Sequence, residues 1–199
     1  MACLHQASTP FAAPSLEVGV GTGRVAEALR LDVGADPALM ALERARSRGV
    51  CAVGALGDAL PFADQTFGLV VLSATLCFAP DPPALLREAT RVVRDGGRVV
   101  VGIVPRESSW GRRYEEWGRA GHPFYSLARL RTVDEVRSLV EGAGLATDRV
   151  RATLWGDCDQ VDAAALAVVV PTADSADDAG FVALGAVRHP TSQDWDLRP

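Results

Sequence analysis

Lysine is absent from this chain: all 20 basic residues are arginine, and 25 Asp and Glu leave a formal net charge of −5. Beside abundant alanine and glycine, the missing lysine reads as the coding bias of a GC-rich gene rather than as a binding device. No arginine cluster forms a dense basic block, so the electrostatic footprint of a nucleic-acid binder is missing. Arg44, Arg46 and Arg48 close a predicted helix, where solvation and the helix dipole account for them. The four cysteines, Cys3, Cys51, Cys77 and Cys158, show no CxxC spacing and no histidine at zinc-ligand distance, which argues against a metal site. Cys51 and Cys77 stand in apolar, strand-like contexts and are expected to be buried as small hydrophobes in a reducing compartment. No apolar run reaches the length of a membrane span, and the first residues lack the basic-then-apolar order of a signal peptide. The expectation is therefore a cytoplasmic protein with neither membrane nor nucleic-acid partners. Internal repeats are also lacking.

What is present is ordinary in bulk and specific in detail. A hydrophobic content of 48% over 199 residues suits one domain with a well-buried core. Leu16 to Gly23 is an apolar run ending in three alternating glycines, Gly19, Gly21 and Gly23, and it reads as a strand turning sharply into a helix that starts near Thr22. Such a turn lets backbone approach a ligand, and the helix start is expected to aim N–H groups and its positive dipole end at an anionic group. The dinucleotide fingerprint GxGxxG needs a third glycine where this chain has Arg24, so a nicotinamide or flavin cofactor is disfavoured.

Downstream the pattern alternates. Leu31 to Ala35 is a second strand ending in Asp36-Pro37, and a helix follows from about Ala38 to Arg48. An acid at the tip of the second strand is placed to accept from ribose hydroxyls. Val50 to Val53 reads as a third strand, followed by the loop Gly57-Asp58-Ala59-Leu60-Pro61-Phe62, and Phe67 to Ser73 is a continuous apolar strand of the kind buried in a parallel sheet. Asp81-Pro82-Pro83 opens a helix to about Val93, Gly96-Gly97 breaks it, and Arg98 to Val104 is a fifth strand. Thr132 to Glu135 is a capping box for a helix ending at Gly142 and Gly144. Thr147 to Trp155 and Phe181 to Arg188 read as an antiparallel final pair; between them Val161 to Val170 is helix or strand, and Thr172 to Gly180 a mobile loop. The fold class is thus α/β, a Rossmann-like doubly wound sheet of seven strands, mostly parallel with an antiparallel last strand, in a domain over residues 1–188 with a loose tail at 189–199.

Taken together, Glu17 to Gly23, Asp36-Pro37, the segment at 57–62 and the run Arg94 to Val101 resemble the class I S-adenosylmethionine (SAM)-dependent methyltransferases. More narrowly they resemble the type 11 group that includes the ubiquinone and menaquinone C-methyltransferases, over roughly residues 15–150. The resemblance implies SAM as cofactor and in-line methyl transfer to a small-molecule acceptor. By motif position it implies Glu17 at the methionine amino group, Gly19, Gly21, Thr22 and Gly23 beside methionine and ribose, and Asp36 on the ribose hydroxyls. It likewise implies Pro37 and Met40 beside adenine, Asp58 and the Ala59 N–H on the adenine edge, and Ser73 at the methionine end.

Residues 105–131 form a candidate substrate lid in which Trp110, Tyr114 and Trp117 recur at helical spacing, followed by His122, Phe124 and Tyr125. Trp110, Tyr114, His122 and Tyr125 are the candidate acceptor contacts, and His122 is the one plausible general base; no catalytic residue is assigned. The chain departs from the family in three places. About fourteen residues precede Ser15 where the family carries helices that close over the cofactor, which implies an open cofactor site or a start further upstream; an apolar patch left bare there would be covered by a second copy in a homodimer. Gly68 stands where an Asp is common, a structural loss, and Thr75 to Phe78 replaces a His-containing segment. The alternative is a catalytically degenerate SAM-binding or interaction module.

Overall fold

Phe67–Ser73 (β4) is the strand around which the molecule is built: six of its seven residues are buried, because neighbours flank it on both edges and helices cover both faces. The structure, a computed structural model, describes residues 1–155, 158, 170–171 and 176–189. In chain order its elements are α1 (Ala2–Ser8), β1 (Ser15–Val18), α2 (Arg24–Leu29), β2 (Val33–Asp36), α3 (Leu39–Ser47), β3 (Cys51–Gly54), β4, α4 (Pro82–Val92) and β5 (Val93–Ile103). They continue with α5 (Ser109–Arg119), α6 (Val133–Gly142), β6 (Leu145–Thr153), β7 (Val170–Pro171) and β8 (Phe181–Arg188).

One sheet runs β3-β2-β1-β4-β5-β8-β6-β7. The five strands from β3 to β5 pair in parallel, and β8 enters antiparallel between β5 and β6. This is the expected doubly wound sheet with an antiparallel last strand, plus the two-residue β7 at its edge. The order reverses between β1 and β4, so the loops at the carboxyl ends of those strands diverge and leave a crevice, where such folds bind ligands.

Alternation along the strands divides the core. Leu16, Val18, Val70, Leu72, Val99 and Val101 meet Leu85, Leu86, Val136 and Val140 of α4 and α6. On the other face Leu69, Val71 and Val100 meet Cys3, Leu4 and Ala7 of α1, Ala26 of α2, and Leu42 and Ala45 of α3. Each such Leu or Val is worth about 1.5–3 kcal/mol when fully buried. A short helix, α1, thus precedes β1 and covers this face of the sheet. Two polar pairs are satisfied in the same layers: Ser15 N and Oγ donate to Asp32 Oδ2 at 2.8 and 2.7 Å, and Arg98 donates to both Asp148 oxygens at 2.5 and 2.8 Å, clamping β5 to β6.

Several local expectations are corrected. The helix after the glycine turn begins at Arg24, not Thr22, and is six residues long. Gly96-Gly97 does not end α4; the strand starts at Val93 and the glycines sit in an irregularity where pairing jumps from Phe67–Val93 to Leu69–Arg98. Cys51 is exposed because β3 is the outermost strand, and Cys77 is half-buried; Cys3 is the buried thiol. Gly68 is a fit rather than a loss: a Cβ there would lie 1.7 Å from the Ala12 carbonyl oxygen, where the segment entering β1 crosses β4. Within the acidic stretch expected to be a mobile loop, Ala176–Asp178 forms a 3-10 turn, and Asp177 Oδ1 accepts from the Val133 N–H at 2.9 Å, capping α6. Residues 161–169, 172–175 and 190–199, for which a helix or strand, a mobile loop and a tail are expected, lie outside the described residues.

Candidate functional site

Glu17 lies in β1 at the β1/β4 divergence, one residue before the strand ends. Alternation turns its side chain from Leu16 and Val18 toward α2, and the residue is only 2% exposed. The Ala26 N–H, third in α2, supplies a hydrogen bond, so the helix start faces the protein's own carboxyl rather than an external anion, contrary to the expectation for this turn. Glu17 Oε2 is enclosed without a partner. Burial, and to a lesser degree the nearby Asp36 carboxylate, pushes the Glu17 carboxyl up to about 8 against the pull of the Ala26 hydrogen bond. A cation seated against the idle oxygen would favour release of that proton and pair with the carboxylate that results.

The three glycines of the turn do different work. All have positive φ, of 75°, 51° and 81° for Gly19, Gly21 and Gly23. A Cβ on Gly19 would lie 2.4 Å from Thr75, whose Oγ1 donates to the Val18 carbonyl at 3.0 Å; a Cβ on Gly23 would lie 2.9 Å from Ala45 Cα of α3. Those two glycines serve internal packing. A Cβ on Gly21 would meet nothing within 4 Å, so its Cα faces the open crevice.

Asp36 bridges two backbone turns: Gly21 N–H donates to Oδ2 at 2.9 Å and Ala38 N–H to Oδ1 at 2.8 Å. The carboxylate is thereby fixed, half-exposed, with lone pairs left over for hydroxyl donors. Thr22 is half-buried in the turn, and Pro37 and Met40 are exposed, Met40 at 75%. Leu39 and Leu56 are also exposed apolar residues on these loops. Asp58 is exposed with no hydrogen bond among the described residues, while the Ala59 N–H donates to the Leu56 carbonyl at 3.2 Å, an intramolecular use that the expectation for Ala59 did not include. Ser73 is half-buried at the β4 tip, and its carbonyl accepts from Thr75 Oγ1 at 3.2 Å.

Directly past Ser73 lies a second space. Ala74, Leu76, Cys77 and Phe78 from the β4 loop, Ile103 at the end of β5 and Val104 after it, Tyr114 of α5, Phe124 and Tyr125, Val136 of α6 and Phe181 of β8 line an apolar cavity of about 280 Å³. Arg129, Leu130 and Arg131 stand on its border. Tyr114 and Tyr125 stack at 4.4 Å and 18°, and Phe78 meets Phe124 at 4.5 Å, so the 105–131 segment closes the cavity with an aromatic wall. Burial and the neighbouring Tyr125 push Tyr114 up to about 12, and burial pushes the Cys77 thiol up to about 11.

Of the candidate acceptor contacts, the structure brings Tyr114 and Tyr125 to the cavity and leaves Trp110 and His122 outside its lining. Trp110 packs on Gly180, where a Cβ would lie 2.4 Å from its ring. His122 is exposed, and its Nδ1 accepts from the Phe124 and Tyr125 N–H groups at 3.2 and 3.3 Å, the work of a turn residue rather than a base. Phe78, Cys77, Phe181, Thr75, Arg129 and Arg131 are additions. The alternation Arg129-Leu130-Arg131 ahead of the capping box was a readable hint; Phe181 comes from a distant strand and gives no local signal.

Comparison with known proteins agrees with this geometry. Residues 16–101 match a family model described as a methyltransferase domain. A Thermotoga maritima crystal structure, described as a SAM-dependent methyltransferase and possible histamine N-methyltransferase, superposes with a TM-score of 0.84 at 32% identity, covering 94% of this chain and 88% of that one. An uncharacterized Mycobacterium tuberculosis protein is 42% identical over 77% of this chain, which spans only 54% of that relative. A demethylmenaquinone methyltransferase of Corynebacterium kroppenstedtii is 42% identical over 83 residues, 42% of this chain and 36% of the relative.

Proposed function

The chain belongs to the class I SAM-dependent methyltransferases of the type 11 group, and on that premise we propose that it transfers the methyl group of SAM to a small-molecule acceptor held in the aromatic-walled cavity. The observation that carries the reading is Glu17 Oε2, enclosed with no partner among the described residues, together with the uncrowded Gly21 backbone at the divergence of β1 and β4 and an apolar, aromatic-walled cavity past β4. A cationic methionine amino group fits the first, and a ribose pressed against backbone fits the second. Asp36, already oriented by two N–H groups, suits ribose hydroxyls, and exposed Leu39, Met40 and Leu56 suit the flanks of an adenine ring.

When bound, SAM supplies an electrophilic methyl on a sulfonium, so the protein has little covalent chemistry to perform. Glu17 and Asp36 hold the donor at the strand ends, while Tyr114, Phe124, Tyr125 and Phe78 hold the acceptor against Ala74 and keep water out. Well-oriented reactants gain on the order of 7–11 kcal/mol from proximity alone. The Cys77 and Tyr114 protons are both held above neutral pH, so neither of these two wall residues serves as a general base at pH 7, and among the described residues no Asp or Glu lines the cavity.

Incubation with methyl-labelled SAM and a low-molecular-weight metabolite extract tests the reading. Label is expected in a small-molecule product with matching release of S-adenosylhomocysteine; label confined to protein or nucleic acid would contradict it.

A further inference from the structure

Resting on the reading above, we infer that the acceptor is a small molecule with an apolar, ring-sized body and an anionic group, and that Arg129 and Arg131 receive the anionic end. The cavity, about 280 Å³, is at the low end of small-molecule sites, which run upward from about 300 Å³, so it suits one or two rings rather than a long chain. Among the described residues no Asp or Glu lines it. An ammonium buried there would lose its water and gain no carboxylate.

The charge at the mouth has the same sign as such an ammonium and would repel it. Arg129 and Arg131 border both the cavity and a shallow surface groove that also holds Arg106 and Glu135. Arg106 and Glu135 pair with each other at 3.3 Å. Arg131 is anchored, its Nη1 donating to the Leu76 and Arg129 carbonyls at 3.3 and 3.0 Å. Arg129 is exposed and makes no ion pair among the described residues, while its backbone N–H donates to the Cys77 carbonyl at 2.8 Å and holds the residue at the mouth. Aromatic walls alone would accept a cation through their ring faces. Two guanidinium groups at the entrance reverse that preference and provide the forked donors a carboxylate or phosphate requires.

Isothermal titration of the S-adenosylhomocysteine-saturated protein with three probes sharing one ring, indole-3-propionate, 3-methylindole and tryptamine, reads the preference directly. Indole-3-propionate is expected to bind on the order of tenfold more tightly than tryptamine, and Arg129→Gln to weaken it by about five- to tenfold while leaving 3-methylindole unchanged. Arg129 is chosen because its side chain carries no internal hydrogen bond among the described residues, so the fold does not depend on it. Tryptamine binding as tightly as the acid, an Arg129→Gln variant with unaltered affinity, or no binding of the acid at millimolar concentration to protein that does bind S-adenosylhomocysteine would each overturn the inference. Failure to bind S-adenosylhomocysteine would instead remove the cofactor reading, and this inference with it.

Discussion

Glu17 is the residue on which the cofactor reading turns, and its titration gives a test that needs no ligand. Its carboxyl rises to about 8 because it is buried, with Asp36 facing it as the like charge and the Ala26 N–H as the opposing influence. The native state therefore holds a proton that the unfolded chain has released across the window from about 4.5 to about 8. Stability should fall as pH rises through that window, by at most about 1.4 kcal/mol per unit, and level off above it. Glu17→Gln, which stays neutral, should flatten this slope in thermal melts of the ligand-free protein; an equal slope in both proteins would show that Glu17 is not the group responsible. The glycines divide by the same logic. Gly19→Ala and Gly23→Ala force a Cβ to within 2.4 Å of Thr75 and 2.9 Å of Ala45, and should cost about 1–3 kcal/mol of stability. Gly21→Ala has room and should lose only about 1 kcal/mol of stability through its positive φ, while weakening SAM binding much more. Comparing melting temperature with SAM affinity across the three variants checks the division. From the sequence, these glycines and acids were legible as a cluster at strand ends. Their separate duties were not, because what a missing Cβ avoids is a neighbour from elsewhere in the chain, Thr75 or Ala45.

At the level of elements, period and capping carried most of the fold. β4 was readable as a buried strand because nothing interrupts its apolar run, and α6 because Thr132 and Glu135 form a reciprocal capping box, present as expected. Asp177 adds a second cap to the same helix from 44 residues away, which local pattern does not reveal. Thr132→Ala should cost about 1 kcal/mol. The boundary at Gly96-Gly97 was misread because a glycine pair signals a break in a helix and an irregularity in a strand equally well. The 105–131 segment was legible as an aromatic stripe, but only packing separates Tyr114 and Tyr125, which line the cavity, from Trp110 and His122, which do not. Tyr125→Ala removes the stack at 4.4 Å and should lower kcat/KM for the acceptor severalfold, with S-adenosylhomocysteine affinity within about twofold of wild type. A matched loss of cofactor affinity would mean that the lid shapes the donor site instead.

For the molecule as a whole, the sheet order puts the proposed donor and acceptor sites on the two sides of one strand tip. Glu17 is the penultimate residue of β1 and Asp36 ends β2, the apolar cavity lies past the end of β4, and Ser73 and Ala74 stand between. α1 packs Cys3, Leu4 and Ala7 onto the sheet, so the apolar surface left for the expected homodimer is that of exposed residues such as Leu39, Met40, Leu56 and Leu127. Sedimentation velocity at micromolar concentration tests it: a species near twice 21.0 kDa supports the homodimer, and a single species near 21.0 kDa counts against it. The central claim, that the β1/β4 crevice is a SAM site built on Glu17 and Asp36, is met most directly by isothermal titration of wild type, Glu17→Gln and Asp36→Ala with SAM, S-adenosylhomocysteine and NADH. Micromolar binding of the first two ligands to wild type, weakened at least tenfold by either substitution, with no heat from NADH, is the predicted result. Absent SAM binding, or binding indifferent to both acids, would contradict it.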